Sequence, residues 1–178
     1  MAEIEARKVQ LHQILPDFVL TSIDGKRESI RAFKQKSNLV LIYLDLNKCP
    51  DCIDYLKELA DNYHIYSGLE TRILAVVPMS LSDLQSTVGN LGLPFPVLAD
   101  EQGQVGNKYL ADSPVPDPIG GVFIADRWGE LRTMMYGRSK NDLPNQPSIL
   151  DWLSLIETEC PECGPGDEAF RKAMGEQI

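Results

Sequence analysis

No apolar run in this chain is longer than the six residues Leu39–Leu44. A membrane-spanning helix needs about 20, so no span is expected. Positive charge is also short: 17 Lys and Arg stand against 26 Asp and Glu, a net charge of −9. The average field of such a chain repels polyanions, so nucleic acid and anionic membrane surfaces are not expected partners. Residues 1–10 have no hydrophobic stretch of the signal-peptide kind, which makes a cytoplasmic location the expectation. Only two histidines occur, and neither His12 nor His64 stands at a metal-ligand spacing. Four cysteines are too few for a disulfide-built scaffold. Internal repeats and low-complexity tracts are absent.

What is present is an ordinary globular composition, 43% hydrophobic and 24% charged over 178 residues. That length suits one domain that needs no staples to hold its core. Strand and helix signals alternate. Residues 17–21 followed by Asp24-Gly25 predict a β-hairpin, and 29–33 a short helix. The run 38–44 reads as a central strand covered on both faces. Apolar residues recur at helical spacing from Pro50 to Tyr66, with a second buried strand at 72–77. A helix capped by Ser80 or Ser82, a short strand at 95–98 and a helix at 104–110 come next. Three prolines between 112 and 121 mark a loop, and strands at 122–126 and 131–136 flank the Arg127-Trp128-Gly129 turn. A helix at 148–157 closes a mixed sheet with helices on both faces. The expected organisation is an N-terminal extension (1–14), one α/β domain (15–158) and a tail (159–178).

The cysteines fall in two pairs of equal spacing, Cys49-Pro50-Asp51-Cys52 and Cys160-Pro161-Glu162-Cys163. The first follows the most hydrophobic strand and opens the next helix. Pro50 suits the first helical position, which puts Cys49 at the N-cap, facing the free N–H groups of the first turn. Partial positive charge there favours thiolate, Lys48 adds a cation and Asp51 opposes both. Cysteines so placed have pKa values of roughly 3.5–7.5 instead of about 8.5. Cys52, three residues on, shares the helix face and lies within bridging range after a small adjustment. The expected chemistry is disulfide exchange, with Cys49 the attacking sulfur and Cys52 the resolving one. Tyr43 and Asp45, just upstream, are candidates to tune Cys52 or carry its proton; core packing and loop capping are equal alternatives. Two inert helix cysteines, or half a metal site, are the plainer reading of the pair.

The chain resembles the redoxin branch of the thioredoxin-like superfamily, which holds the alkyl hydroperoxide reductase/thiol-specific antioxidant proteins and thiol–disulfide reductases. The resemblance spans about Leu15 to Ile156. It rests on Leu15-Pro16-Asp17-Phe18-Val19-Leu20 with Asp24-Gly25-Lys26, and on Leu41-Ile42-Tyr43 before the first cysteine pair. It continues in Pro96-Val97-Leu98-Ala99-Asp100 with Gly103 and Tyr109, and in Val122-Phe123-Ile124-Ala125-Asp126 with Gly129. It implies a three-layer thioredoxin-like fold with an N-terminal hairpin. Four departures matter. Leu46 stands where the family's peroxidases carry Thr or Ser, and Gly120 where they carry Arg; both groups polarise peroxide. Lys48 stands where its reductases carry Trp. Their cis-proline falls near Gly120, and Pro118 is two residues away. A substrate groove would then involve Pro50, Pro118 and Gly120.

Cys160-Pro161-Glu162-Cys163-Gly164 has the form of a metal knuckle, but no second knuckle follows at ribbon spacing to complete four ligands. Zinc shared between two tails of a homodimer, or an accessory dithiol passing electrons to Cys49 and Cys52, are the two chemical readings; an exposed tail is the plain one. The leading expectation is a thiol–disulfide oxidoreductase that requires no cofactor. Its nucleophile is Cys49, its resolving thiol Cys52 and its electrostatic helper Lys48. Its partners would be a disulfide-containing protein, or a small thiol or peroxide, together with an electron-donor dithiol protein. A thiol peroxidase and a non-catalytic redoxin scaffold with a zinc-binding tail are the alternatives.

Overall fold

The computed structural model describes residues 9–159; Cys160 and Cys163, and with them both readings of the second pair, lie outside the described residues. Strand β1 (Val19–Ser22) turns at Gly25, whose φ of +82° suits only glycine, into β2 (Arg27–Ser29). A 3₁₀ turn, Ile30–Phe33, capped by the Ser29 hydroxyl, leads to β3 (Asn38–Leu44), which is buried along its whole length. Then come α1 (Cys52–Asp61), α2 (Tyr63–Gly68), β4 (Thr71–Val77) and α3 (Leu81–Val88), with Ser80 as the cap of α3. The chain continues through β5 (Val97–Ala99), α4 (Gln104–Tyr109), β6 (Gly120–Ala125), β7 (Leu131–Gly137) and α5 (Gln146–Thr158).

Among the described residues the strands form one seven-stranded sheet in the order β2-β1-β5-β4-β3-β6-β7. Strands β3, β4 and β5 are parallel, whereas β6 runs antiparallel to both β3 and β7. The two-residue period of β3 divides the core. Val40, Ile42 and Leu44 join the cluster under α1, α3 and α5. Leu39, Leu41 and Tyr43 face the other way, into the cluster closed by Phe18, Ile30 and α4. Helices thus cover both faces, as expected. Residues 12–14 hydrogen-bond along β7 and Val9 is buried, so the packed unit reaches back to the first described residue.

Three local expectations are corrected. The helix read from Pro50 to Tyr66 is two helices, broken at Asn62. The Asn62 side-chain amide donates to the Glu58 carbonyl at 3.0 Å, the acceptor that a continuing helix would give to its backbone N–H. The strand read from Val122 begins two residues earlier, because Gly120 pairs with Leu44 and Gly121 with Tyr43. Helix α5 begins at Gln146, where the Asn145 side chain accepts from the Ser148 N–H at 3.0 Å.

Candidate active site

Beyond Leu44 the chain winds around Asp45. The Asp45 N–H donates to the Ile119 carbonyl at 2.8 Å, tying the loop to the segment entering β6. Its carboxylate accepts the N–H groups of Asn47 and Lys48 at 3.1 and 3.2 Å. Its carbonyl accepts those of Lys48 and Cys49 at 3.1 and 3.0 Å. Asp45 is therefore the loop's organiser, and this turn brings Cys49 back over the end of the sheet. From Cys49 the chain enters α1 through a tight lead-in, with N–H bonds from Cys52 to the Cys49 carbonyl (3.0 Å) and from Ile53 to the Pro50 carbonyl (3.2 Å). Pro50 sits in this i→i+3 turn, and the α-helical ladder starts at Cys52, later than the spacing predicts.

Cys49 and Cys52 are joined as a disulfide, with Cα atoms 5.4 Å apart. Their surroundings differ. Cys49 is half-buried, next to exposed Pro50, while Cys52 is fully buried in the cluster that holds Leu44, Leu46, Tyr55, Leu56 and Ile119. The pair thus offers one sulfur to a partner and keeps the other in apolar surroundings, where a free thiolate is disfavoured.

Lys48 is exposed, and its ammonium lies 2.7 Å from a carboxylate oxygen of Asp117. The Asp117 hydrogen bond raises the Lys48 pKa, and the Lys48 hydrogen bond holds Asp117 below the usual carboxylate range. The cation expected to help Cys49 is therefore already partnered. Asp117 escaped the sequence reading because its link to Lys48 crosses 69 positions and leaves no local pattern. Pro118 is half-buried and borders, with Lys48, Asp45, Asp117, Tyr43 and Gly106, a hollow of about 340 Å³. Among the described residues every peptide bond is trans, so Pro118 takes its place there as a trans proline.

Gly120 is buried in β6, and a Cβ there would stand 2.2 Å from the Tyr43 carbonyl oxygen. No side chain fits, and Gly120 is paired on both sides, with Leu44 of β3 and Gly137 of β7. Gly120 thus permits the close approach of β6 to β3, while Gly121 leaves room for the Phe123 and Tyr136 rings. Tyr43 does not tune Cys52. Strand alternation turns it to the opposite face of the sheet, where burial pushes its phenol well above the ordinary value. A larger hollow of about 530 Å³ lies at the far end of the sheet, against Leu39, Lys34 and Asp126. It contains no sulfur and is not where this chemistry occurs.

The AhpC/TSA family model matches residues 11–134. The thiol-disulfide oxidoreductase ResA of Geobacillus kaustophilus is 27% identical over 143 residues, which cover 78% of this chain and 77% of that protein. A peroxiredoxin of Nanoarchaeum equitans is 28% identical over 161 residues, 84% of this chain and 70% of its own. Among solved structures, a thiol:disulfide interchange protein of the thioredoxin family from Chlorobium tepidum superposes with a TM-score of 0.65 at 12% identity, covering 84% of this chain and 99% of that one. The likeness carries the fold: the mixed sheet with its hairpin and two helical layers is thioredoxin-like.

Proposed function

Because the chain belongs to the AhpC/TSA family and bears a bonded cysteine pair at the head of α1, we propose that it is a thiol–disulfide oxidoreductase. The observation that carries the proposal is the asymmetry of that pair, Cys49 half-exposed and Cys52 fully buried. In the reduced protein the Cys49 thiolate attacks one sulfur of a partner disulfide. The partner's S–S bond breaks, its second sulfur leaves as thiolate and takes a proton, and a mixed disulfide forms. Cys52, losing its proton, then attacks the Cys49 sulfur and frees the partner's first sulfur as a thiol. Two electrons pass to the partner, and the Cys49–Cys52 disulfide is the product. Run in reverse, the same steps oxidise a partner dithiol.

A peroxide substrate also fits the family, and the peroxiredoxin likeness favours it. The site itself supports disulfide exchange better. Position 46 offers a buried leucine in place of a hydroxyl, and position 120 has no room for a guanidinium. Exchange needs only the two sulfurs and a surface on which to dock.

The test compares turnover of a protein disulfide such as insulin with steady-state hydroperoxide consumption. Cys52→Ser, with Cys49 intact, is expected to accumulate a mixed disulfide with the partner; Cys49→Ser is expected to form none. Peroxide consumption far outrunning disulfide reduction would move the assignment to a peroxidase. Unchanged rates in Cys49→Ser would end both.

A further inference from the structure

The loop that carries Pro118 and the loop that carries Cys49 are pinned to each other by backbone. Ile119 accepts from the Asp45 N–H, and its own N–H donates to the Gly137 carbonyl at 2.8 Å. Asp117 stands two residues before this double anchor, with φ at +47° in the left-handed region that few residues other than Gly, Asn and Asp adopt. On the other side, the Lys48 N–H is fixed to Asp45. The backbone at both ends of the 2.7 Å Lys48–Asp117 contact is therefore set by the fold, and the two exposed side chains meet across it. Lys48 is also the residue immediately before Cys49, so its charge is the nearest cation in sequence to the attacking sulfur.

We propose that Asp117 is a positioning residue that acts through Lys48, holding that ammonium in an ion pair and so setting how acidic the Cys49 thiol is. This rests on the assignment of Cys49 as the attacking thiol. A free ammonium beside Cys49 favours thiolate; an ammonium paired with a carboxylate is close to a neutral dipole and favours it less. Other charged groups around the site include Asp45 in the loop, Asp51 in the lead-in, Asp54 and Glu58 on α1, Asp112 in the loop after α4, and Arg138 and Lys140 after β7. Asp45 bears on Lys48, Arg138 on Asp117, and Glu58 first, then Asp54 and Asp51, on Lys140. Asp117 is the carboxylate that pairs with the Lys48 ammonium, at 2.7 Å. Asp117 titrates below the ordinary carboxylate range and Lys48 above the ordinary lysine value, so the pair persists through the pH range where a thiol ionises. Substitution, not pH, is what opens it.

The experiment measures iodoacetamide alkylation of the fully reduced full-length chain from pH 5 to 9 at low salt, with Cys49 followed by peptide mass spectrometry. Asp117→Asn keeps a residue that tolerates a positive φ, and Asp117→Gly serves as a second variant at home in that backbone. Both are expected to move the Cys49 profile to lower pH, giving roughly two- to threefold faster alkylation near pH 6. High salt is expected to shrink the difference. Lys48→Met is expected to move the profile upward, and Lys48→Met/Asp117→Asn to coincide with Lys48→Met. An unchanged profile in both Asp117 variants overturns the proposal. So does a shift that persists in the Lys48→Met background, since Asp117 would then act without Lys48. A change confined to the high-pH plateau rate reports altered access and also overturns it. None of these readouts needs turnover, so failure of the oxidoreductase assignment shows separately, as unchanged insulin reduction in Cys49→Ser.

Discussion

Replacing Gly120 by alanine is the sharpest test of how the site is built. The added Cβ would fall 2.2 Å from the Tyr43 carbonyl oxygen and 3.0 Å from a Leu44 methyl carbon. The first contact is with backbone in the middle of the sheet, where β6 is held between β3 and β7, so neither side yields cheaply. Overpacking of this kind costs about 1–3 kcal/mol, and a lengthened ladder hydrogen bond adds about 1. A loss of about 2–4 kcal/mol lowers Tm in a chain of this size by roughly 5–15 °C. The disturbance is expected to reach the cysteine loop, because the preceding residue, Ile119, holds the Asp45 N–H. Thermal unfolding reads the first effect. Hydrogen exchange at the Asp45 and Cys49 amides reads the second, both accelerating ahead of those in β4. A variant that melts within about 1 °C of the parent, with unchanged exchange in the loop, refutes the close approach. Gly120→Arg, which supplies the guanidinium a peroxidase would use, is expected to fail more severely and to gain no peroxide activity.

Further outcomes follow from the same contacts. Asp100 is fully buried and accepts the N–H groups of Val105 and Gly106 at 3.0 Å each, so Asp100→Ala is expected to destabilise the fold by roughly 2 kcal/mol and to loosen α4 first, read by denaturant melts and exchange at those two amides. Tyr55→Phe removes the hydroxyl that bonds the Pro144 carbonyl at 2.8 Å, and a cost of about 1–2 kcal/mol is expected in urea unfolding, with the Cys49 profile unmoved. Electron transfer between the two cysteine pairs is expected to be second order in protein. Glu157 near the end of α5 touches Asn38, at the start of β3, whereas Cys49 lies past the other end of that strand. The strand alone spans on the order of 20 Å, while four residues beyond Glu159 reach at most about 14 Å whatever their conformation. Stopped-flow transfer whose rate is independent of concentration would refute this.

Local pattern made much of the fold legible. The unbroken apolar run of β3 could only be a covered central strand, and the Asp24-Gly25 turn could only join a hairpin. Periodicity in α5 marked Ile149, Trp152, Leu153 and Ile156, of which Trp152 is partly buried and the others are buried. What escaped was whatever depends on a distant partner or on a side chain that competes with backbone. That Gly120-Gly121 permits close backbone approach is legible; that the neighbour approached is β3, at the Tyr43 carbonyl, is not. Asn62 carries no stronger helix-breaking signal than its neighbours, and the break comes from which carbonyl its amide takes. Phe95 belongs to the core without belonging to a strand, since burial and ladder pairing are separate demands.

The cysteine motif was legible as chemistry, but its electrostatics were not, and the reason bears on the choice of reaction. Spacing places two sulfurs on one turn, and strand-then-helix order places the first at the surface. Neither says what the flanking cation does, because an ion pair is settled by a loop arriving from elsewhere in the chain. That loop is positioned by the Ile119 bonds, which themselves require β6 to lie hard against β3, and hence require glycine at 120. The approach that pins the Pro118 loop to the loop carrying Cys49 is therefore the same approach that excludes a guanidinium from this position. A peroxide needs that positive charge as its oxygen–oxygen bond breaks, whereas a leaving thiolate stabilises its own charge on sulfur. On the proposed reading, the backbone geometry at Gly120 therefore favours disulfide exchange over peroxide reduction.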